Sequence, residues 1–418
     1  VVGRLPLDVV RIDADRLVHR LGELAEVGAI AGTAGCCRLA LTDEDRAGRD
    51  LVVSWMRDLG LAVTVDAIGN VVAVRPGRED LAPVMTGSHI DTVRTGGRYD
   101  GNLGVVAGLE VVETLDRHRV TTRRPLAVAF FTNEEGSRFA PDMMGSLVYA
   151  GGMGVAQAHD TVGIDGARVG DELARIGYLG PAPCPGPAPH AFVELHIEQG
   201  PVLEQAGARI GVVTGVQGIS WTEVSVEGQS NHAGTTPMGL RHDAGYAAAE
   251  IAVFVRRLAA ELGDPLVGTV GAVDLHPNLV NVVAGRATLT VDLRHTDGDT
   301  LAEAGRRLHA HLDELARAEG VAITTRPLAR FEPVCFHDDI VDLVERTAKE
   351  LGHPTMRLPS GAGHDAQMLA RVCPATMVFT PSHRGISHNP AEHTDPADLA
   401  AGADVLLAVL LQLAEDGP

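Results

Sequence analysis

The stretch TGSHIDTVRTGGRYDGNLGV, Thr86 to Val105, sets a histidine, two aspartates and several glycines between an apolar strand pattern and a helical one. Imidazole and carboxylate without thiolate form a donor set suited to zinc, manganese, cobalt or nickel. The same residue types recur at the ends of other apolar segments: Glu134 and Glu135 in FTNEEGSRF, His196 in ELHIEQGP, His364 in SGAGHDA and His388 in GISHNPAEH. A single polar loop histidine is ordinarily a solvated one, and an adjacent glutamate pair ordinarily opens a helix. With His89, Asp91 and Asp100 the set is too large, and too consistently placed at strand ends, for those bland readings to cover it.

The elements that must position these groups follow from periodicity. Helical spacing runs from Asp13 to Val27 and from Thr42 to Leu59, the second opening on a Thr42-x-x-Asp45 arrangement that resembles a capping box. LAVTVDAIGNVVAVRPG alternates and turns at Gly69-Asn70, which predicts a hairpin. APVMTGSHID reads as a short buried strand, GVVAGLEVVETLDRH as an amphipathic helix and PLAVAFFTNEEG as a strongly apolar strand. Strand, helix, strand is the pattern of a parallel sheet, whose ligand sites gather at the carboxyl ends of the strands. After Gly211–Gly218 the order becomes strand, helix, two strands, helix and strand, an α+β sandwich that looks inserted. The expected division is 1–214 and 332–418 as one α/β catalytic domain with a mixed, largely parallel sheet flanked by helices, and 215–331 as the insertion.

Composition narrows the functions. A chain of 418 residues with 45% hydrophobic content should bury more than one core. Fifty-five acidic against 35 basic residues leave a net charge of −20, which argues against nucleic acid and anionic membranes as partners. Five cysteines, scattered except for the adjacent Cys36 and Cys37 and without a C-x-x-C pair, suggest a reducing cytoplasm and no zinc-thiolate site. The N-terminus has no basic start followed by an apolar core, and no apolar run approaches the ~18 residues of a membrane helix.

The motifs GSHIDTVRTGGRYDGNLGVVAG, FTNEEGSRF, ELHIEQGPVLE, GQSNHAGTTPM, PSGAGHDAQ and GISHNPAEHT resemble those of the hydantoinase/carbamoylase family of dinuclear metal amidohydrolases, from about Leu21 to about Leu399. That family takes in N-carbamoyl-L-amino-acid hydrolases, β-ureidopropionases and allantoate amidohydrolases, within the aminoacylase and carboxypeptidase G superfamily. The resemblance implies two divalent ions (Zn, Mn, Co or Ni) per subunit, with His89 and His196 on different metals, Asp100 bridging them, and Glu135 and His388 completing the shells. A bridging carboxylate is physically reasonable, because two dications about 3.5 Å apart repel unless an anion lies between them. Gly96, Gly97 and Gly101 would let the backbone close around the site, and similar enzymes carry a cis peptide just after the bridging aspartate.

The same resemblance makes Glu134 the general base. Adjacent side chains on a strand point oppositely, so both glutamates reach one site only if the chain turns, which Gly136 permits. Asp91, two residues past His89 on the same face, is placed to accept the imidazole's second N–H. His383 is the rival of His388 and is read as a loop histidine. Gln199, His232, Asn281 and Arg294 are implied to bind substrate, Arg294 gripping a carboxylate in a bidentate fork. Gly361 and Gly363 would offer backbone N–H groups to it, and His364 is either near substrate or a structural histidine satisfied by Asp365. The implied reaction is hydrolysis of an N-carbamoyl-L-amino acid to amino acid, carbon dioxide and ammonia. Allantoate amidohydrolase and β-ureidopropionase are the alternatives, and an aminoacylase or peptidase, or a silent small-acid-binding relative, is a weaker one. The implied partner is a second copy of the chain, paired through the insertion acting as a lid.

Overall fold

The computed structural model describes residues 10–415, so the N-terminal reading, where it rests on residues 1–9, lies outside the described residues. The chain divides into two compact units: one runs up to Gly215 and resumes at Cys335, and the other is Val216–Val334.

The strands in chain order are β1 Ala62–Val65, β2 Val71–Arg75, β3 Val84–His89, β4 Leu126–Phe131, β5 Ala191–Ile197, β6 Ile210–Val216, β7 Gly218–Glu227, β8 Asn231–His232, β9 Val267–His276, β10 Val282–Val283, β11 Arg286–His295, β12 Ala322–Phe331, β13 Val334–Cys335, β14 Thr355–Ser360 and β15 Ala375–Thr380. Among the described residues the first unit is built on a sheet of order β1-β2-β4-β3-β5-β15-β6-β13, with β14 beside β6. Its centre, β4-β3-β5-β15, is parallel, and β1, β2 and β6 join antiparallel. Every residue of those four central strands is buried, so their burial is continuous rather than alternating, as in a sheet covered on both faces.

Helices form where the spacing predicts them, over Ala14–Glu26 and Asp43–Asp58. Thr42 caps the second, its hydroxyl accepting from Asp45 N at 3.3 Å. The box does not close on Thr42. The Asp45 carboxylate instead takes Leu41 N at 2.7 Å and the fully buried Arg49 at 2.8 Å, because a buried guanidinium needs an anion within reach. The predicted hairpin pairs Val65 with Val71, and the Asp66 carboxylate holds the bend by accepting from Ile68 N and Asn70 N.

One expectation is corrected. Helix Pro396–Glu415, 20 residues long, contains an 18-residue stretch of mean hydropathy 1.7, long and apolar enough to cross a membrane by composition. A count of consecutive apolar residues misses it because Asp398 and Asp404 interrupt the run. The helix packs on β15, β5 and three other helices, and most of its apolar residues are buried there.

The second unit is a four-stranded antiparallel sheet, β12-β7-β11-β9, with helices Ala244–Leu262 and Gly298–Glu319 on one face. Val224, Val226, Leu289, Val291, Ile251 and Leu308 form the layer between them. A two-stranded ribbon, β8 with β10, stands apart from this sheet.

Candidate metal centre

The carboxyl ends of β3, β4 and β5 converge on one cluster. His89 is the last residue of β3 and His196 the penultimate one of β5, both buried. Asp100 lies just before helix Asn102–Arg117, on a turn that Gly101 makes with a φ of 66°. A Cβ at Gly101 would run into the His89 imidazole, so only glycine fits there. The Asp100–Gly101 bond is not cis: the cis bonds among the described residues all precede proline, and Gly101's positive φ makes the bend. After β4 the chain turns through Asn133 and Gly136, both at positive φ, and this brings Glu134 and Glu135 to the same cluster.

Asp100 is its centre. Oδ1 lies 3.7 Å from His89 Nε2 and 3.2 Å from His196 Nε2. Oδ2 lies 3.3 Å from His388 Nε2, which is 3.3 Å from Glu135 Oε2. The donors therefore form two groups sharing Asp100: His89 and His196 in one, Glu135 and His388 in the other, with donor atoms within 4.8 Å of one another in each. The expectation that His89 and His196 serve different metals is thus corrected. β3 and β5 are parallel neighbours, so their ends deliver both imidazoles to one side of the aspartate.

These residues fit divalent cations. The spacings of 3.2–3.7 Å lie at or beyond the long end of hydrogen bonds and bracket the ~3.3–3.4 Å edge of a tetrahedron with bonds of about 2.0–2.1 Å. The ion-pair partners of Asp100, Glu134 and Glu135 are histidines throughout. The electrostatics agree. Burial opposes ionisation of Asp100, yet the hydrogen bonds from His196 and His388 hold it well below the usual carboxylate range. Burial, then neighbouring carboxylates, push Glu134 and Glu135 well up. Burial would lower His196 as well, but Asp100 raises it to about 9: the cluster draws positive charge. Burial brings His89 down to about 4, which favours its neutral form.

Both imidazoles are oriented by backbone carbonyls, His89 Nδ1 on Asp91 O at 2.9 Å and His196 Nδ1 on Ile197 O at 2.8 Å. Each Nδ1–H donates and turns Nε2 inward. This corrects the reading of Asp91: it is the main-chain oxygen that meets His89. The carboxylate accepts from Glu134 N at 3.2 Å and Glu135 N at 3.3 Å, because the turn after β4 presents two unpaired amides to it. Glu134 Oε2 is 3.4 Å from His89 Nε2, while its acidic neighbour Glu135 faces His388.

Of the other predicted residues, Gln199 joins the cluster, its amide donating to Asp100 Oδ2 at 2.9 Å while its buried Oε1 accepts nothing. His364 packs edge-on to His196, centroids 4.5 Å apart, and meets Ser360 Oγ at 2.9 Å rather than Asp365. Gly361 and Gly363 lie between β14 and helix Asp365–Leu369. His383 is held by Glu204 at 2.9 Å, away from the donors. In the second unit the ribbon pairs His232 with Val282, beside Asn281. Arg294 lies on β11 with its fork on Asp292, at 2.9–3.1 Å, and its guanidinium over Trp221.

Sequence reasoning missed Glu194, Glu392, Ser387 and Arg38. Glu194 accepts from Ser88 Oγ and Ala366 N and joins His196 and His364 in a third donor group. Its signal was available, two residues before His196 on the same strand face. Arg38, fully buried, ties Ile90 O to Asn102 Oδ1 behind the cluster, and no local pattern announces it.

A largely parallel α/β sheet whose strand ends present paired histidine and carboxylate donors around one aspartate defines an α/β protein with a candidate metal centre at its strand ends. Residues 85–412 match the model of peptidase family M20/M25/M40. An N-carbamoyl-L-amino-acid amidohydrolase of Rhizobium meliloti is 42% identical over 97% of both chains. A rice ureidoglycolate hydrolase is 34% identical over 96% of this chain and 85% of its own length. The crystal structure of a hydantoinase/carbamoylase family amidase from Burkholderia multivorans superposes with a TM-score of 0.93 at 45% identity, covering 98% of this chain and 100% of that one. The chain belongs to the M20/M25/M40 peptidase family and is an amidohydrolase acting on linear amides.

Proposed function

We propose that this protein hydrolyses the carbamoyl C–N bond of an N-carbamoyl-L-amino acid. The observation that carries the reading is the arrangement at Asp100: one oxygen faces His89 and His196, the other faces His388 with Glu135, and Glu134 stands beside them. His89, His196, Asp100, Glu135 and His388 would hold two divalent cations, whose charge, when bound, would polarise the carbamoyl carbonyl and acidify water. Glu134 takes the proton of the attacking water as its oxygen bonds to the carbamoyl carbon, then delivers it to the amino-acid nitrogen as the C–N bond breaks. The carbamic acid left behind falls to carbon dioxide and ammonia. Gln199 Oε1, buried and without a donor, is suited to a ureido N–H of the substrate. The substrate carboxylate is assigned to Arg294, for which it would replace Asp292 as the partner of the planar fork. His232, Asn281, His364 and the amides of Gly361 and Gly363 are assigned to the same substrate.

Allantoate, ureidoglycolate-type and β-ureido acids form the second reading, favoured by the ureidoglycolate hydrolase among the relatives. Ammonia release from N-carbamoyl-L-amino acids, N-carbamoyl-β-alanine, allantoate and ureidoglycolate, with manganese, cobalt, zinc or nickel added, decides between them. Release from none of them would sink both. A cytoplasmic homodimer, paired through the second unit, completes the proposal. The exposed Val267 and Val273 of edge strand β9, and Tyr246 and Val253 of helix Ala244–Leu262, support it.

A further inference from the structure

We infer that Glu392, which is neither a metal ligand nor in the proposed reaction path, is the positioning residue that assembles the Asp100–Glu135–His388 half of the centre. The inference rests on the two-metal reading above. The two donor groups are held very differently. His89 and His196 are carried by the buried central strands β3 and β5 and fixed through their Nδ1 atoms. His388 sits on a loop, at a φ of 52°, with its side chain 51% exposed. Left to its own backbone, such a residue would sample many positions, and the second group would exist only part of the time.

Glu392 removes that freedom. It lies four residues after His388, is 4% exposed, and reaches across to the segment that carries Asp100. Its Oε1 accepts from Tyr99 N at 3.0 Å and Asp100 N at 3.2 Å. Its Oε2 meets Ser387 Oγ at 3.0 Å, and the same hydroxyl is 3.2 Å from Asp100 Oδ2. One carboxylate thus joins the backbone before the shared ligand to the residue before His388. The fit is close: a Cβ at Gly97 would overlap the Glu392 carboxylate, and one at Gly35 would lie 2.7 Å from Pro390 Cα. Thr95 Oγ1 adds a weaker link to His388 O at 3.3 Å. Gly97 of TGGRYDG therefore makes room for a side chain from the other end of the sequence.

The hydrogen-bond inventory distinguishes two substitutions. Ser387 has one hydroxyl proton and two carboxylate acceptors, Asp100 Oδ2 and Glu392 Oε2. In Glu392→Gln the amide oxygen still accepts both backbone N–H groups, and the amide NH2 donates to Ser387 Oγ, freeing the hydroxyl proton for Asp100. In Glu392→Ala the two amides lose their acceptor and the loop loses its tie.

The test is metal binding by the intact chain, not turnover alone. Wild type, Glu392→Gln, Glu392→Ala and His388→Ala are stripped, reloaded with zinc, and assayed for zinc per chain by elemental analysis and for affinity by chelator competition. Circular dichroism confirms the fold of each. Wild type and Glu392→Gln should bind two ions. Glu392→Ala should keep one ion at wild-type affinity and bind the other about 10–100-fold more weakly, the usual cost of losing an outer partner, approaching the His388→Ala pattern. Two ions bound by folded Glu392→Ala at wild-type affinities would overturn the inference while leaving the two-metal reading intact. Equal weakening of both ions, or failure of Glu392→Gln to restore the second, would also overturn it. A wild type that binds fewer than two ions would overturn the two-metal reading and this inference with it. As a further readout, excess zinc should restore kcat to Glu392→Ala with little change in KM.

Discussion

Replacing Glu134 by glutamine isolates proton transfer from everything else the residue does. The residue is 7% exposed, and its backbone N–H is held by Asp91 at 3.2 Å, so an amide of the same shape stays where the carboxylate was. Glu134 Oε2 lies 3.4 Å from His89 Nε2 but belongs to neither donor group around Asp100, so the substitution should leave those groups in place. What disappears is the ability to accept a proton from water and return it to the leaving nitrogen. General acid–base groups contribute about 10²–10⁴-fold, or roughly 2.7–5.4 kcal/mol at about 1.36 kcal/mol per decade. kcat for ammonia release at saturating N-carbamoyl-L-amino acid should fall by that factor, with zinc per chain unchanged. Glu134→Asp tests geometry separately: the carboxylate remains but is withdrawn by one methylene, and a misplacement of ~1 Å costs about 10²-fold. If Glu134→Gln keeps more than about a tenth of wild-type kcat with both metals in place, below the smallest general-base effect, the base lies elsewhere.

Arg294→Lys should cost about 1.5–3 kcal/mol in kcat/KM, the range for hydrogen bonds to a charged group, and should spare an N-carbamoyl amine that lacks the carboxylate; equal damage to both compounds would make the arginine structural. Chelation should abolish turnover reversibly and lower Tm, since a site filled at a thousand times its Kd adds about 4.1 kcal/mol to stability; full activity after verified removal of metal would refute the centre. Arg49→Met strands the fully buried Asp45 carboxylate, and urea unfolding should show a loss of about 3–5 kcal/mol, whereas a loss under about 1 would mean the pair is not needed. Light scattering at micromolar concentration should give the mass of two chains, and a stable monomer would remove the pairing through the second unit.

The local sequence carried a large part of this protein. Helices over Ala14–Glu26 and Asp43–Asp58, the hairpin around Gly69-Asn70 and the buried strands before His89 and Glu134 were legible because burial on one or both faces imposes a period that composition must obey. The donor types at strand ends were legible too, since imidazole and carboxylate there have few structural uses. What could not be read was direction. Nothing in HID tells that Asp91 offers its main-chain oxygen to His89 and its carboxylate to the Glu134 and Glu135 amides; that depends on how the turn after β4 meets the end of β3. Nor does spacing reveal that His89 and His196, more than a hundred residues apart, share one side of Asp100, which follows from β3 and β5 being parallel neighbours. Glu392 is the extreme case. Its type and position look like one more loop carboxylate, and only the approach of its loop to Gly97, Tyr99 and Asp100 makes it the tie between the two segments. Residue type and period are local properties of the chain, whereas the partner of a hydrogen-bonding group is decided by whichever segment the fold brings within about 3 Å of it.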